Sequence, residues 1–342
     1  MEVSAKVQAK SGCRERAWVL ERAVRILFCL VALLLLGTFA PIRITPPEPP
    51  PLVSLIDFQP VPVEAGRPGD VHVGKLVFLA GWNMESNDWR FGGISAMQVE
   101  GDRVIAVSDS GWLIRFPVPS GAGTRRASVE PVRKGAGAPV NKAQRDVESL
   151  IVNGATAWVG LERQNGVWRF ALPEWRELGG GRPAAMRKWE ENNGPEAMVR
   201  LPDGRFIVFS EGDGGTTDVL MFPGDPSVPG ARALRMRYRP PAGYRITDAT
   251  LLPDGRLLLL NRRISFVSGM KAKLAIAPVP PPRAGFLIQP REIAAFAPPL
   301  TVDNMEAVSV TREDGRTIVW LASDDNYMPL QRSLLLKFAL EA

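Results

Sequence analysis

One unit recurs along this chain: an apolar strand, a tight turn, a second apolar strand and a charged finish. Its clearest copy is NNGPEAMVRLPDGRFIVFSEG, residues 192–212. Other copies are GGISAMQVEGDRVIAVSDSG from residue 92, RDVESLIVNGATAWVGLER from 145, RITDATLLPDGRLLLLNRR from 245 and DNMEAVSVTREDGRTIVWLASDDN from 303. Most turns carry Asp-Gly or Asn-Gly, a strong local signal for a hairpin. The first-strand acids Glu148, Glu196, Asp248 and Glu306 stand 48, 52 and 58 residues apart, while the first copy has Ile94-Ser95 there. Short strands repeating every fifty residues or so predict a β-propeller of four-stranded blades. The competing architecture, a β-sandwich, offers no reason for that period.

Further strands complete the units: GVWRFAL (166–172), VLMF (219–222) and LRMRY (234–238). The body length gives about five blades, and the long Gly/Pro-rich stretch 115–145 leaves room for a degenerate sixth. The chain ends on SLLLKFAL, residues 333–340, a third strand with no fourth after it. Pairing it with KLVFLAG, residues 75–81, would close the ring and remove its exposed edges.

The N-terminus reads differently. Residues 26–40, ILFCLVALLLLGTFA, are uncharged and apolar, and basic residues precede them. That pattern predicts a signal peptide or uncleaved signal anchor over 1–40. A proline-rich linker follows over 41–60, and the propeller is expected over 61–342. The body would then be periplasmic or secreted, or tethered to the inner membrane by an uncleaved N-terminal helix.

Composition narrows the chemistry. Both cysteines, Cys13 and Cys29, lie in the N-terminal segment, and His72 is the sole histidine. No disulfide framework, multi-His zinc site or Cys–His pair can be built in the body, and a Ser-His-Asp triad would need His72. The net charge of +6 includes six Lys/Arg in the first 25 residues, and no basic run of the kind that tracks nucleic acid occurs. Chemistry is left to carboxylates, arginines, hydroxyls or a hard cation.

Hairpin geometry then gathers the acids. The start of the first strand and the end of the second share one end of an antiparallel pair, and about six residues separate each of Glu196 and Glu211 from the turn. The same construction brings Asp109, Glu148, Glu162, Asp248, Arg262, Arg263, Glu306, Asp324 and Asp325 to one mouth of a central channel. Crowded carboxylates take up protons or bind a cation. Roomy clusters of oxygen suit Ca²⁺ better than Mg²⁺. Neighbouring arginines (Arg145, Arg163, Arg245, Arg262 and Arg263) would hold an anionic group, and the same pairs equally serve as ties between blades.

At these residues the chain resembles the family described as "esterase-like activity of phytase". The resemblance rests on RFGGISAM, VIAVSDSGW, DVESL, GLERQNGVWRF, NNGPEAMVRLPDGRFIVFSEG, YRITDATLLPDGRLLLLNRR, DNMEAVSV and SDDN followed by QRSLLLKFAL, from about residue 75 to the end. It implies an exported phytase-like propeller that hydrolyses phosphate esters. It also marks Gly93, Asp109, Glu148, Glu162, Arg163, Glu196, Glu211, Asp248, Arg262, Arg263, Glu306, Asp324, Asp325 and Asn326 as this chain's copies of the recurrent positions. The expected roles are catalysis for Glu148, Glu196 and Glu306, and substrate binding for Arg163, Arg262, Arg263 and Asn326. Metal ligation falls to Asp109, Glu162, Glu211, Asp248 and Asp324, with Ca²⁺ as the cofactor. The leading expectation is a metal-assisted phosphoesterase acting on an anionic small molecule. A non-catalytic envelope propeller that binds a ligand or partner is the alternative, and a lactonase-like or carboxylesterase hydrolase is a third.

Overall fold

The computed structural model describes residues 50–66, 71–133, 145–190, 193–212, 215–265 and 267–341, together with Ile26. The predicted export segment, 1–40, therefore lies outside the described residues save Ile26. Among the described residues no helix is long and apolar enough to cross a membrane. The body is all-β, with twenty-three strands among the described residues.

Three strands open it: β1 (Ser54–Pro60), β2 (His72–Val73) and β3 (Leu76–Ser86). Antiparallel four-strand meanders follow. The first holds β4 (Ile94–Glu100), β5 (Arg103–Ser108), β6 (Trp112–Pro117) and β7 (Gly123–Pro131). The second holds β8 (Val147–Asn153), β9 (Thr156–Leu161), β10 (Gly166–Ala171) and β11 (Arg176–Gly181). In the third are β12 (Pro195–Arg200), β13 (Phe206–Ser210), β14 (Thr217–Phe222) and β15 (Leu234–Tyr238). The fourth comprises β16 (Arg245–Leu251), β17 (Leu257–Ser265), β18 (Gly269–Ala277) and, after the short β19 (Leu287–Ile288) that pairs with β15, β20 (Arg291–Phe296). The last has β21 (Asn304–Glu313), β22 (Arg316–Asp324) and β23 (Ser333–Leu340).

The last meander has only three C-terminal strands, and its fourth comes from the other end of the body. β23 pairs antiparallel with β3, Leu340 opposite Leu76 and Leu336 opposite Gly81. That is the closure expected from SLLLKFAL and KLVFLAG. Phe338 of β23 packs against both Phe78 and Phe296, with ring centroids 5.5 Å apart in each case. Residues 54–60, read above as the end of the linker, are instead strand β1. It lies between β3 and β7 and joins the last meander to the first. The alternation in SLIDFQP accounts for this, since Ser54, Ile56 and Phe58 are buried while Leu55 and Asp57 are only half-buried. Of the Gly/Pro-rich stretch 115–145, the end of β6 and the whole of β7 lie within its described part, 115–133, and 134–144 lie outside the described residues.

The five first strands form a closed circuit: β4 touches β8, β8 touches β12, β12 touches β16, β16 touches β21, and β21 touches β4. Hydroxyls stitch these neighbours. Ser95 Oγ donates to Val147 O (2.5 Å), Ser149 Oγ to Pro195 O (2.6 Å) and Thr247 Oγ1 to Met305 O (3.1 Å), while Ser309 Oγ accepts from Val99 N (2.9 Å). The result is a propeller-like ring. Apolar faces of successive sheets pack between the spokes, as where Ile246 and Leu259 meet Phe209 and Tyr238. Trp158, Trp168 and Trp320 are buried there, and His72 is exposed.

Candidate functional site

Every first strand carries an irregularity at the same place. In each hairpin the register slips by one residue near the start of the first strand, and the skipped residues are Ser95, Glu148, Glu196, Thr247 and Glu306. A bulged residue leaves the ladder and re-aims its side chain. Here the bulges bring Ser95, Glu148, Glu196 and Glu306 to the wall of one cavity of about 210 Å³. The ends of the second strands and the turns after them supply Asp109, Glu162, Glu211, Arg262, Asp324 and Asn326 to the same wall.

The lining thus contains Asp109, Glu148, Glu162, Glu196, Glu211, Glu306 and Asp324, against Arg262 as the one cation among the described residues there. Arg262 forms an ion pair with Glu306, and its Nη2 lies 3.4 Å from Glu211 Oε1. It also donates to Asn304 Oδ1 at 2.6 Å. Arg245 braces the far oxygen of Glu211 at 3.2 Å. Behind Glu148, Asp146 joins the group, and carboxylate oxygens of Asp146, Glu148 and Glu162 lie within 4.8 Å of one another. Asn304 Nδ2 donates to Asp324 Oδ2 at 3.3 Å.

The turns are fixed tightly. Gly93 sits at φ +61, and a Cβ there would fall 2.5 Å from Asp109 Oδ1. Asp325 does not line the cavity. It accepts from Gly93 N (2.9 Å), Tyr327 N (3.0 Å) and Ser333 Oγ (2.9 Å), and so anchors the loop. Asn326 and Tyr327 follow in left-handed backbone, φ 49 and 52. Two adjacent non-glycine residues in that region store strain that the surrounding contacts must hold. Asp324 does part of this, accepting from Asn326 N at 2.6 Å.

Burial and like charge act together on proton affinity. Burial pushes the Glu148 carboxyl well above the usual range, and Glu196, Asp146, Glu162 and Asp109 push it further. Glu196 is raised by burial and then by Glu211, Glu162 and Glu306. Asp324 is raised by burial and then by Asp109 and Glu306. Glu162 is pushed up to about 8, by burial and then Asp146. Glu306 reaches about 7, because burial raises it while Arg262 pulls it back. Burial opposes the charge on Arg262, but Glu306, Glu211, Glu196 and Asp324 outweigh it and raise its pKa.

Magnitudes show how the site is poised. At separations near 4–5 Å two carboxylates repel by roughly 3–4 kcal/mol in an effective dielectric of about 20. Protonating a carboxyl with an ordinary pKa at pH 7 costs roughly 3–4 kcal/mol. One such repulsion therefore about offsets the protonation of one carboxyl at neutral pH, burial adds to the pull toward protonation, and a divalent cation relieves several repulsions at once. The donor set fits a hard cation: all anionic ligands are carboxylates, and no Cys or His lines the cavity. Asp146, Glu148 and Glu162 are the residues best grouped to hold it.

Most of the expected site residues come together here: Asp109, Glu148, Glu162, Glu196, Glu211, Arg262, Glu306, Asp324 and Asn326. Three do not. Asp248 follows the bulged Thr247 and so lies in the ladder, on the wall of a different cavity. It accepts from Ala249 N (2.8 Å) and Val308 N (2.7 Å), and ties β16 to β21. Arg263 is exposed on β17 beyond the cavity wall. Arg163 lies outside the wall, its Nε 3.0 Å from Asp146 Oδ2. Sequence reasoning left out Ser95, Asp146 and Asn304. A strand-entry acid two residues before Glu148, and an Asn two before Glu306, were the available signals.

Solved structures of similar shape are distant. A luciferin-regenerating enzyme matches at 10% identity over 83% of this chain and 97% of its own, with TM-score 0.43. An α-L-arabinofuranosidase from Clostridium thermocellum matches at 10% identity over 67% of this chain and 82% of its own, with TM-score 0.44. A hydrazine synthase from Kuenenia stuttgartiensis matches at 13% identity over 70% of this chain, which spans 58% of that one, with TM-score 0.37. Among curated proteins nothing matches. The family model described as "Phytase-like: Esterase-like activity of phytase" matches residues 89–327, and the chain belongs to that family.

Proposed function

We propose that this protein is a cation-dependent hydrolase of phosphate monoesters, acting in the acidic cavity at one mouth of a five-bladed propeller. One observation carries the reading: seven carboxylates line a cavity of about 210 Å³, and its one lining arginine is already engaged by two of them. Such a cavity repels a phosphate dianion as it stands. Loaded with divalent cations, it attracts one. Family membership supports an ester as the substrate.

In this reading Asp146, Glu148 and Glu162 hold a Ca²⁺-class cation, and Asp109, Glu211 and Asp324 offer further oxygens. When bound, the cation stabilises negative charge on the phosphoryl oxygens and raises the acidity of water. The protein's own groups move the protons. Glu196, deprived of water and surrounded by like charge, accepts a proton from the attacking water as its oxygen bonds to phosphorus. Glu306, with a proton affinity near neutrality, donates to the ester oxygen as the P–O bond breaks. Arg262 then serves to position Glu306 and Glu211 instead of clamping phosphate. The export segment read over residues 1–40 would place this site on the periplasmic or secreted side.

The test is turnover of a phosphomonoester panel by the full-length protein, with Ca²⁺ and after chelation, beside Glu196→Gln. Phosphate release that needs the cation and collapses in the variant is the expected result. Thermal stabilisation by Ca²⁺ with no ester hydrolysed would make this an ion-stabilised binding module. Hydrolysis confined to carboxylic esters or lactones would move the chemistry to the other hydrolase class.

A further inference from the structure

If the arginines of the cavity are bound to its carboxylates, some other cation has to meet an incoming anion. Arg262 is paired with Glu306 and Glu211, Arg245 with Glu211, and Arg163 with Asp146. Arg145 is different. It stands directly before Asp146, at the entry to β8, and forms no ion pair among the described residues. By sequence, residues 134–144 ahead of it contain no Asp or Glu.

Its position is fixed without an acid. The guanidinium carbon lies 5.7 Å from the ring centroid of Trp112. Its stem presses on Gly111, where an added Cβ at φ +79 would come within 2.5 Å of Arg145 Cβ. Gly111 ends the turn that presents Asp109 to the cavity, so this packing sets Arg145 against that turn, beside the cavity wall and not part of it. Arg145 Nε is buried with no hydrogen-bond partner. Trp112 carries a second cation, Arg90, at 5.5 Å. Asp88 matches that one through contacts of 2.9 and 2.6 Å, so the unmatched charge on the ring is Arg145. A cation held by an aromatic face and partly shut off from water keeps its field, because neither a carboxylate nor full hydration screens it.

We propose that Arg145, held over Trp112, is the anion-recognising group at the rim of the acidic cavity, binding a charged oxygen of a phosphate-bearing substrate. The substrate class rests on the phosphoesterase reading; the anion binding does not. Arg145 adds to the attraction of the cation-loaded cavity and fixes the side from which a dianion enters. Its effect falls on binding and leaves the protons of the chemical step to other groups.

Calorimetric titration of inorganic phosphate into the Ca²⁺-saturated full-length protein tests this directly. Arg145→Gln should weaken phosphate binding roughly 10-fold or more, the range of a hydrogen bond to a charged group. It should raise KM for a phosphomonoester by a similar factor and leave kcat within about 3-fold. Arg145→Lys should recover a large part of the loss. Trp112→Leu, which keeps the charge but removes its support, should weaken phosphate binding by a smaller factor, and it carries the test if Arg145→Gln does not fold. Arg256→Gln, in a turn next to Asp254, should match the wild type. Unchanged phosphate binding in Arg145→Gln, or no phosphate bound by the wild type, overturns the proposal. Arg145-dependent phosphate binding without ester turnover would keep it and remove the phosphoesterase reading.

Discussion

The five first strands build two cavities, and the two are made by opposite rules. Near their starts the strands bring Glu148, Glu196 and Glu306 face to face, beside four more carboxylates. Farther along, the same strands line a second cavity of about 140 Å³. There Gln98, Ser309 and Asp248 are used up on neighbouring backbone. Gln98 both donates to Val152 O (2.9 Å) and accepts from Val152 N (2.8 Å), Ser309 accepts from Val99 N, and Asp248 accepts from Val308 N. The second cavity holds the ring together. The first leaves like charges opposed, an arrangement a fold does not need for its own stability. The bulge separates the two regimes, since one skipped residue decides whether an acid faces the mouth or joins the ladder.

Substitutions on either side of that bulge should part company. Glu196→Gln removes the proposed proton acceptor and should lower turnover by about 10²–10⁴-fold with little loss of fold, measured as kcat beside a thermal melt. Asp248→Ala should do the reverse. Losing the acceptor of two buried N–H groups should cost about 1–3 kcal/mol in denaturant unfolding, while kcat per folded molecule holds. Equal effects on both properties in both variants would erase the distinction between the cavities.

Cation loading sharpens the contrast further. Calcium at a hundred times its dissociation constant should add about 2.7 kcal/mol to stability, read as a rise in Tm that chelation abolishes. The pH response of the cation-free protein has a definite sign. Glu162 and Glu306 are pushed up to about 8 and about 7 in the folded chain, from an ordinary value of 4.5. Between about pH 4.5 and 8 the folded state therefore binds more protons than the unfolded one, and stability falls as pH rises through that window. Saturating Ca²⁺ should flatten this slope, and melts at pH 5, 6, 7 and 8 with and without the ion check it. The smallest effect is expected far from either cavity: Arg256→Gln, which breaks an exposed pair with Asp254, should change stability by less than about 0.5 kcal/mol.

Much of this arrangement was readable from residue order. Hairpins with Gly turns, a period near fifty and an unpartnered last strand specify the ring and its closure, because strand pairing follows local pattern and turn chemistry. The shared end of Glu196 and Glu211 follows from antiparallel geometry alone. Asp248 misled because the fourth hairpin places Thr247, not an acid, at the bulge, and a one-residue register slip leaves no mark in composition. Arg263 misled because consecutive strand residues alternate faces, so Arg262 enters the cavity while Arg263 faces away. Arg163 lies in the turn after β9 and pairs with Asp146 outside the wall. Asn304 and the Arg145–Trp112 contact depend on how neighbouring sheets meet, which no single hairpin encodes.

Titration of Ca²⁺ into the full-length protein by calorimetry tests the central claim most directly. The account predicts at least one bound ion, lost or strongly weakened in Glu148→Gln and Glu162→Gln and retained in Asp248→Asn. No binding in the wild type, or the same binding in all three variants, would contradict it.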